Sequence, residues 1–126
     1  MSLNVIVVDD SAMMRRVIGR ALRMTGLPID RIDEACDGAQ ALEAMRARVF
    51  DLAMVDINMP RMDGMALLDA VKRDVRLADV AIVVVSTEAS ETRIAALQAR
   101  GVGFVRKPFE PEKLLDAVVR AIGAAS

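Results

Sequence analysis

Six polar residues stand within two positions of the ends of short apolar or β-branched runs in this chain. Asp9 and Asp10 follow Val5-Ile6-Val7-Val8, and Asp56 follows the run from Leu52 to Val55. Ser86 and Thr87 follow Val80 to Val85, and Lys107 comes after Phe104-Val105. Taken singly, each has an ordinary use: Asp9, Asp10 or Ser86 as a helix cap, Asp56 as a turn residue, Lys107 as a solvated charge. Taken together they define a chemistry. Three carboxylates brought to one place repel one another and need a cation. A donor set of oxygens without His or Cys suits Mg²⁺, with Mn²⁺ as a substitute. A neighbouring lysine fits an anionic ligand, most simply a phosphoryl group. A carboxylate can act as the nucleophile and become an aspartyl phosphate. Hydroxyl, ammonium and metal would then offset charge on the equatorial oxygens during transfer.

The elements needed to gather these residues are written in two alternating textures. Val5 to Val8 is continuously apolar, as in a strand buried on both faces. Met13, Met14, Val17, Ile18, Ala21 and Leu22 recur at helical spacing, and Gly26 marks the helix end. A weaker strand lies around Ile32 to Ala35. Asp37-Gly38 opens a second helix with Ala41, Leu42, Met45 and Val49 on one face. Leu52 to Val55 is a third strand, and Asp63 caps a helix carrying Met65, Leu67, Leu68 and Val71. Val80 to Val85 is the fourth strand. Ile94, Ala95, Leu97 and Gln98 lie on a fourth helix that Gly101 ends. Phe104-Val105 is a short fifth strand, and Pro111 starts a last helix with Leu114, Leu115, Val118, Val119 and Ile122. Five strands alternating with five helices imply an α/β fold: a flavodoxin-like doubly wound parallel sheet, order 2-1-3-4-5. The ligand site then lies beyond the carboxyl ends of the strands, between strands one and three.

Composition narrows the function classes. The 126 residues suit one domain, over residues 1–126, and the chain is 54% hydrophobic and 28% charged, as a globular protein is. Seventeen basic residues against eighteen acidic ones argue against a broad nucleic-acid footprint. There is no His, Trp or Tyr, which excludes histidine-built zinc sites and disfavours base-stacking platforms. Cys36 is the single cysteine, so no internal disulfide forms; it reads as a small inert residue near strand two. The longest apolar run, Val80 to Val85, has six residues, whereas a membrane span needs about 20. Asn4, Asp9 and Asp10 stand where a signal peptide would be basic and then apolar. The expectation is a soluble, cytoplasmic protein with no membrane insertion.

The chain resembles a response-regulator receiver domain of the single-domain, CheY-like type. The residues that carry the likeness are Val7-Val8-Asp9-Asp10-Ser11, Val55-Asp56-Ile57-Asn58-Met59-Pro60-Arg61-Met62-Asp63-Gly64, Val85-Ser86-Thr87-Glu88-Ala89 and Phe104-Val105-Arg106-Lys107-Pro108-Phe109. These four separated motifs, in order along the whole chain, are far more specific than any one of them. The resemblance implies that Asp56 is the phosphoacceptor, supplied by a histidine kinase, a phosphotransfer protein or a small phosphodonor. It implies that Asp10 binds Mg²⁺ directly and Asp9 through water, with Asp56 and the Asn58 backbone carbonyl completing the set. Lys107 would pair with phosphoryl oxygens, Ser86 would hydrogen-bond them, and the Lys107-Pro108 bond would be cis. Ser86 moving toward the phosphoryl group leaves space for Phe104 to turn inward, which reshapes the helix 4–strand 5–helix 5 face for an output protein.

Some positions depart from the family pattern. Phe104 lacks the hydroxyl of the Tyr common at its position. Thr87 is bulkier than the usual small residue and narrows access to Asp56. Asn58, Thr87 and Glu88 hold the positions that tune dephosphorylation, and the Asn58–Glu88 pairing resembles fast-resetting chemotaxis regulators. Met13 and Met14 read as core or cleft-rim packing. Gly123-Ala124-Ala125-Ser126 reads as a tail or the start of a linker. The implied function is a signalling switch rather than an enzyme. It would work as a monomer or a weak phosphorylation-dependent dimer. Two other readings stand beside it: a receiver excised from a longer DNA-binding regulator, and a phosphatase of the haloacid-dehalogenase kind. The second needs an Asp two residues after the nucleophile, where this chain has Asn58. A flavodoxin would need a hydroxyl- and glycine-rich phosphate loop where Asp9 and Asp10 stand.

Overall fold

The computed structural model describes residues 2–57, 63–87 and 90–125. Five parallel strands form one sheet: β1 (Leu3–Val8), β2 (Ile29–Ala35), β3 (Leu52–Val55), β4 (Ala81–Ser86) and β5 (Gly103–Arg106). Their order is β2-β1-β3-β4-β5, as expected. The connections run through α1 (Ala12–Met24), α2 (Gly38–Ala47), α3 (Gly64–Arg73) with a 3₁₀ turn at Val75–Leu77, and α4 (Glu91–Ala99). Helix α5 (Pro111–Ala125) closes the chain, so Gly123 to Ala125 continue a helix instead of forming a tail.

The pleat of the central strands sorts the core into two layers, because successive side chains point to opposite faces. Val5 and Val7 of β1 pack with Ile18 and Leu22 of α1 and Leu114 and Val118 of α5. Ile6 and Val8 pack with Ala41, Leu42 and Met45 of α2 and Leu67 and Val71 of α3. A third cluster joins Val84, Leu97 of α4, Leu68 and Ile57, with Phe104 partly buried against it. Helices α1 and α5 therefore cover one face, and α2, α3 and α4 the other.

Helix ends are fixed locally. Side chains of Ser11, Asp37, Asp63 and Ser90 accept from the backbone N–H three residues on, capping α1 to α4. Gly26 (φ 82°) and Gly101 (φ 78°) take the left-handed conformation just beyond α1 and α4. Three expectations need correcting. Helix α2 stops at Ala47, Arg48 is extended, and Val49 is 84% exposed rather than on the buried face. Strand β2 begins three residues earlier than its apolar signal. Met13 and Val119 are exposed, while Met14 does pack against the core. Cys36 directly follows β2 and is exposed. Among the described residues no helix is long and apolar enough to cross a membrane.

Candidate phosphoryl and cation site

The sheet delivers the polar residues to its carboxyl edge while still holding their backbones. Asp9 N–H donates to Ala35 O at 3.1 Å, Asp56 N–H to Val8 O at 2.9 Å, and Lys107 N–H to Ser86 O at 2.9 Å. Each bond extends a parallel ladder one residue past the strand. The side chains thus start from rigid sheet positions, which favours a pre-set site.

The cluster itself consists of Asp9, Asp10, Asp56 and Lys107. Carboxylate oxygens of the three aspartates all lie within 4.8 Å of one another. The Lys107 ammonium donates to Asp9 Oδ2 at 3.0 Å and stands 3.9 Å from Asp56 Oδ2. Asp9 is 1% exposed and Asp56 8%, whereas Asp10 is exposed at the mouth. Asp9 Oδ1 also accepts from the Ser11 N–H at 2.9 Å. Three carboxylates against one ammonium leave two negative charges uncompensated, and a single divalent cation matches them. The donors are hard oxygens, and among the described residues the cluster includes no His or Cys, which fits Mg²⁺ or Mn²⁺.

Ser86 is fully buried at the end of β4, and Thr87 after it is exposed. Phe104 pairs with Val84 in the β4–β5 register. Val84 and Ser86, two residues apart, share one face of the pleat, and Phe104 packs on Val84 from that face. The aromatic ring and the hydroxyl residue are thus neighbours on the α4 side of the sheet. Asn58 and Glu88 lie outside the described residues. The Lys107–Pro108 peptide is cis. Arg106 and Pro108, on either side of Lys107, border an open groove of ≈ 790 Å³ between β5 and α5, lined also by Phe104, Phe109, Lys113 and Ala117.

Two contributors escape a reading of residue types. Gly64, the first residue of α3, donates its N–H to Ile57 O at 2.9 Å, and a Cβ there would stand 2.3 Å from Asp56 O and 2.6 Å from the Ile57 Cα. Only glycine lets α3 pass this close behind Asp56. Arg15 donates from Nη1 to the Asp9 backbone carbonyl at 2.7 Å and from Nε to Glu34 Oε1 at 2.8 Å. Gly64 falls within the Val55-to-Gly64 motif that carries the family resemblance, but its residue type alone does not announce the close approach. Nothing in residue type or spacing singles out the second.

Comparison with known proteins agrees with this geometry. A family model described as the response regulator receiver domain matches residues 5–119. The chain is 37% identical over 117 residues to the chemotaxis protein CheY of Pseudomonas aeruginosa, covering 92% of this chain and 93% of that one. Among solved structures it is similar to the chemotaxis response regulator CheY4 of Vibrio cholerae, with TM-score 0.81, 30% identity, and 96% and 99% of the two chains covered. A sensor protein from Polaromonas sp. JS666 superposes with TM-score 0.85 at 32% identity, over 98% of each chain.

Proposed function

The chain belongs to the response regulator receiver domain family, and on that premise we propose that Asp56 accepts a phosphoryl group in a Mg²⁺-dependent transfer and thereby switches a protein-binding surface. The observation that carries this reading is the convergence of three carboxylates within 4.8 Å around one ammonium. On this reading Asp10 and Asp56 would hold the cation directly and Asp9 would hold it through water, with the Asn58 backbone carbonyl as the remaining protein ligand. When bound, the cation supplies charge neutralisation for the phosphoryl oxygens.

The chain's own groups do the rest. One Asp56 oxygen bonds to phosphorus as the P–N bond of a donor phosphohistidine breaks. The electron pair leaves with the imidazole, which takes a proton. Lys107, at 3.9 Å from Asp56, is close enough to pair with an oxygen of the new acyl phosphate. Ser86 donates its hydroxyl to another. That shift opens room on the α4 side, and Phe104 rotates into it. The α4–β5–α5 face, with its groove beside Phe104, then changes shape for an output protein. Phosphate works by favouring one of two arrangements the fold already samples. Transfer and hydrolysis are self-catalysed, tuned by Asn58, Thr87 and Glu88, and the chain is a signalling protein rather than a turnover enzyme. The relatives named as chemotaxis proteins favour a chemotaxis role; a cytoplasmic setting and a histidine kinase as donor belong to the same proposal.

The test is intact mass after incubation with Mg²⁺ and acetyl phosphate or phosphoramidate. Wild type should gain one phosphoryl group, and Asp56→Asn should gain none, nor should wild type without divalent ions. An adduct that survives Asp56→Asn would reject Asp56 as the acceptor. Where Thr87 excludes small donors, phosphorylated histidine kinase replaces them; failure with both would reject the function.

A further inference from the structure

The Asp9–Asp10 peptide carries two of the three carboxylates, and it is gripped from outside the cluster. Arg15, one turn into α1, folds its guanidinium back. Nη1 donates to the Asp9 carbonyl, the oxygen of that same peptide, at 2.7 Å. Nε is held by Glu34 at 2.8 Å, and Glu34 sits in β2 opposite Val7. The Arg15 side chain is only 17% exposed, although Arg16 next to it is open to solvent. Asp9 has further anchors in Lys107 and the Ser11 N–H. The Asp10 side chain has no hydrogen-bond partner among the described residues, so the backbone is what fixes the start of that side chain, its Cα–Cβ bond. The Asp9–Asp10 peptide is one of the two planes that meet there.

We infer that Arg15 is a positioning residue for the cation site. It locks the Asp9–Asp10 peptide so that the Asp10 carboxylate faces Asp9 and Asp56, and Glu34 is the strut that locks Arg15. The inference rests on the reading that this cluster takes a divalent cation. Its two physical consequences have opposite signs. As a bare positive charge near the site, Arg15 opposes a cation, so losing it should tighten binding. As a brace, it pre-forms the site, so losing it should loosen binding.

The experiment is a Mn²⁺ titration of the full chain, read from the electron paramagnetic resonance signal of the free ion, for wild type, Arg15→Gln and Arg15→Lys. Metal-free amide exchange at Asp10 and Ser11 is measured on the same proteins. Bracing predicts that Arg15→Gln weakens Mn²⁺ binding about tenfold. It also predicts weaker binding for Arg15→Lys, whose charge is kept but whose ammonium lacks the planar fork that spans both acceptors. Exchange at Asp10 and Ser11 should quicken in both variants. Unchanged or tighter Mn²⁺ binding in Arg15→Gln, with wild type binding normally, overturns the inference and leaves the proposed function standing. If Arg15→Gln fails to fold, Arg15→Lys decides: wild-type affinity and exchange in that variant overturn it. A wild type that binds no Mn²⁺ overturns both.

Discussion

Lys107 and Asp9 are 98 residues apart in the chain and 3.0 Å apart in the fold. The ammonium occupies part of the charge demand that a divalent cation would otherwise meet alone. Asp9 is buried, so it needs this partner. Lys107→Met should therefore lower the stability of the metal-free protein by about 3 kcal/mol. Mg²⁺ should restore part of the loss, and the variant should bind Mg²⁺ more tightly than wild type while losing phosphoryl transfer. Urea unfolding followed by far-ultraviolet circular dichroism, with and without Mg²⁺, measures this. Weaker Mg²⁺ binding in Lys107→Met would contradict competition between the two cations.

Gly64→Ala tests the close approach behind Asp56. The new methyl would sit 2.3 Å from Asp56 O, against backbone that cannot swing aside as a side chain can. The expected cost is about 2 kcal/mol or more, with a shift of Asp56 that slows phosphorylation. Equilibrium unfolding gives the first quantity and timed intact mass the second. A variant as stable as wild type would mean that α3 and the Asp56–Ile57 segment move apart freely.

Acid should act through Asp74. Hydrogen bonds from the Arg76 side chain and backbone, with Arg46 adding to them, hold its carboxyl down at about 2 against an ordinary 3.8. A depressed carboxylate pKa stabilises the fold fully above the unfolded value and loses that contribution as pH falls through the folded one. Asp74→Asn should thus be less stable than wild type near neutrality. The gap should shrink from 3.8 downward and close below about 2. A gap that stays constant over that range would assign its origin to hydrogen bonding rather than to charge.

Ser11 caps α1 through its hydroxyl, which accepts from Met14 N–H at 3.2 Å, while its own backbone N–H serves Asp9. Ser11→Ala removes the first bond and keeps the second. It should cost about 1 kcal/mol of stability and leave Mg²⁺ affinity unchanged. A fall in Mg²⁺ affinity, measured calorimetrically, would show that capping and cation binding are coupled.

Much of this architecture can be read from residue types, because its causes are local. Asp63 caps, Gly26 and Gly101 turn left-handed, and Leu52 to Val55 is apolar throughout since helices cover it on both faces. The strand-end carboxylates are legible because acidic residues have few reasons to follow buried strands. Where reading failed, distant packing decided. Strand β2 is an edge strand whose Asp30, Arg31, Asp33 and Glu34 carry no apolar alternation, so its first half looks like a loop. Val49 continues the helical spacing of α2, but Arg48 has already left the helix. Arg15 acts through a backbone oxygen, and Gly64 through an absent atom; neither leaves a mark in composition.

The ladder bonds that anchor the cluster belong to three different strand pairs, and its groups come from positions 9, 10, 56 and 107. No contiguous half of the chain contains them all. A ribosome that has not yet released Lys107, or a protease that has severed β5, leaves Asp56 present but without its ammonium partner. On the proposed function, competence to receive phosphate therefore requires all three strand pairs to have formed. On the proposed function, a cell that signals through Asp56 counts only finished molecules.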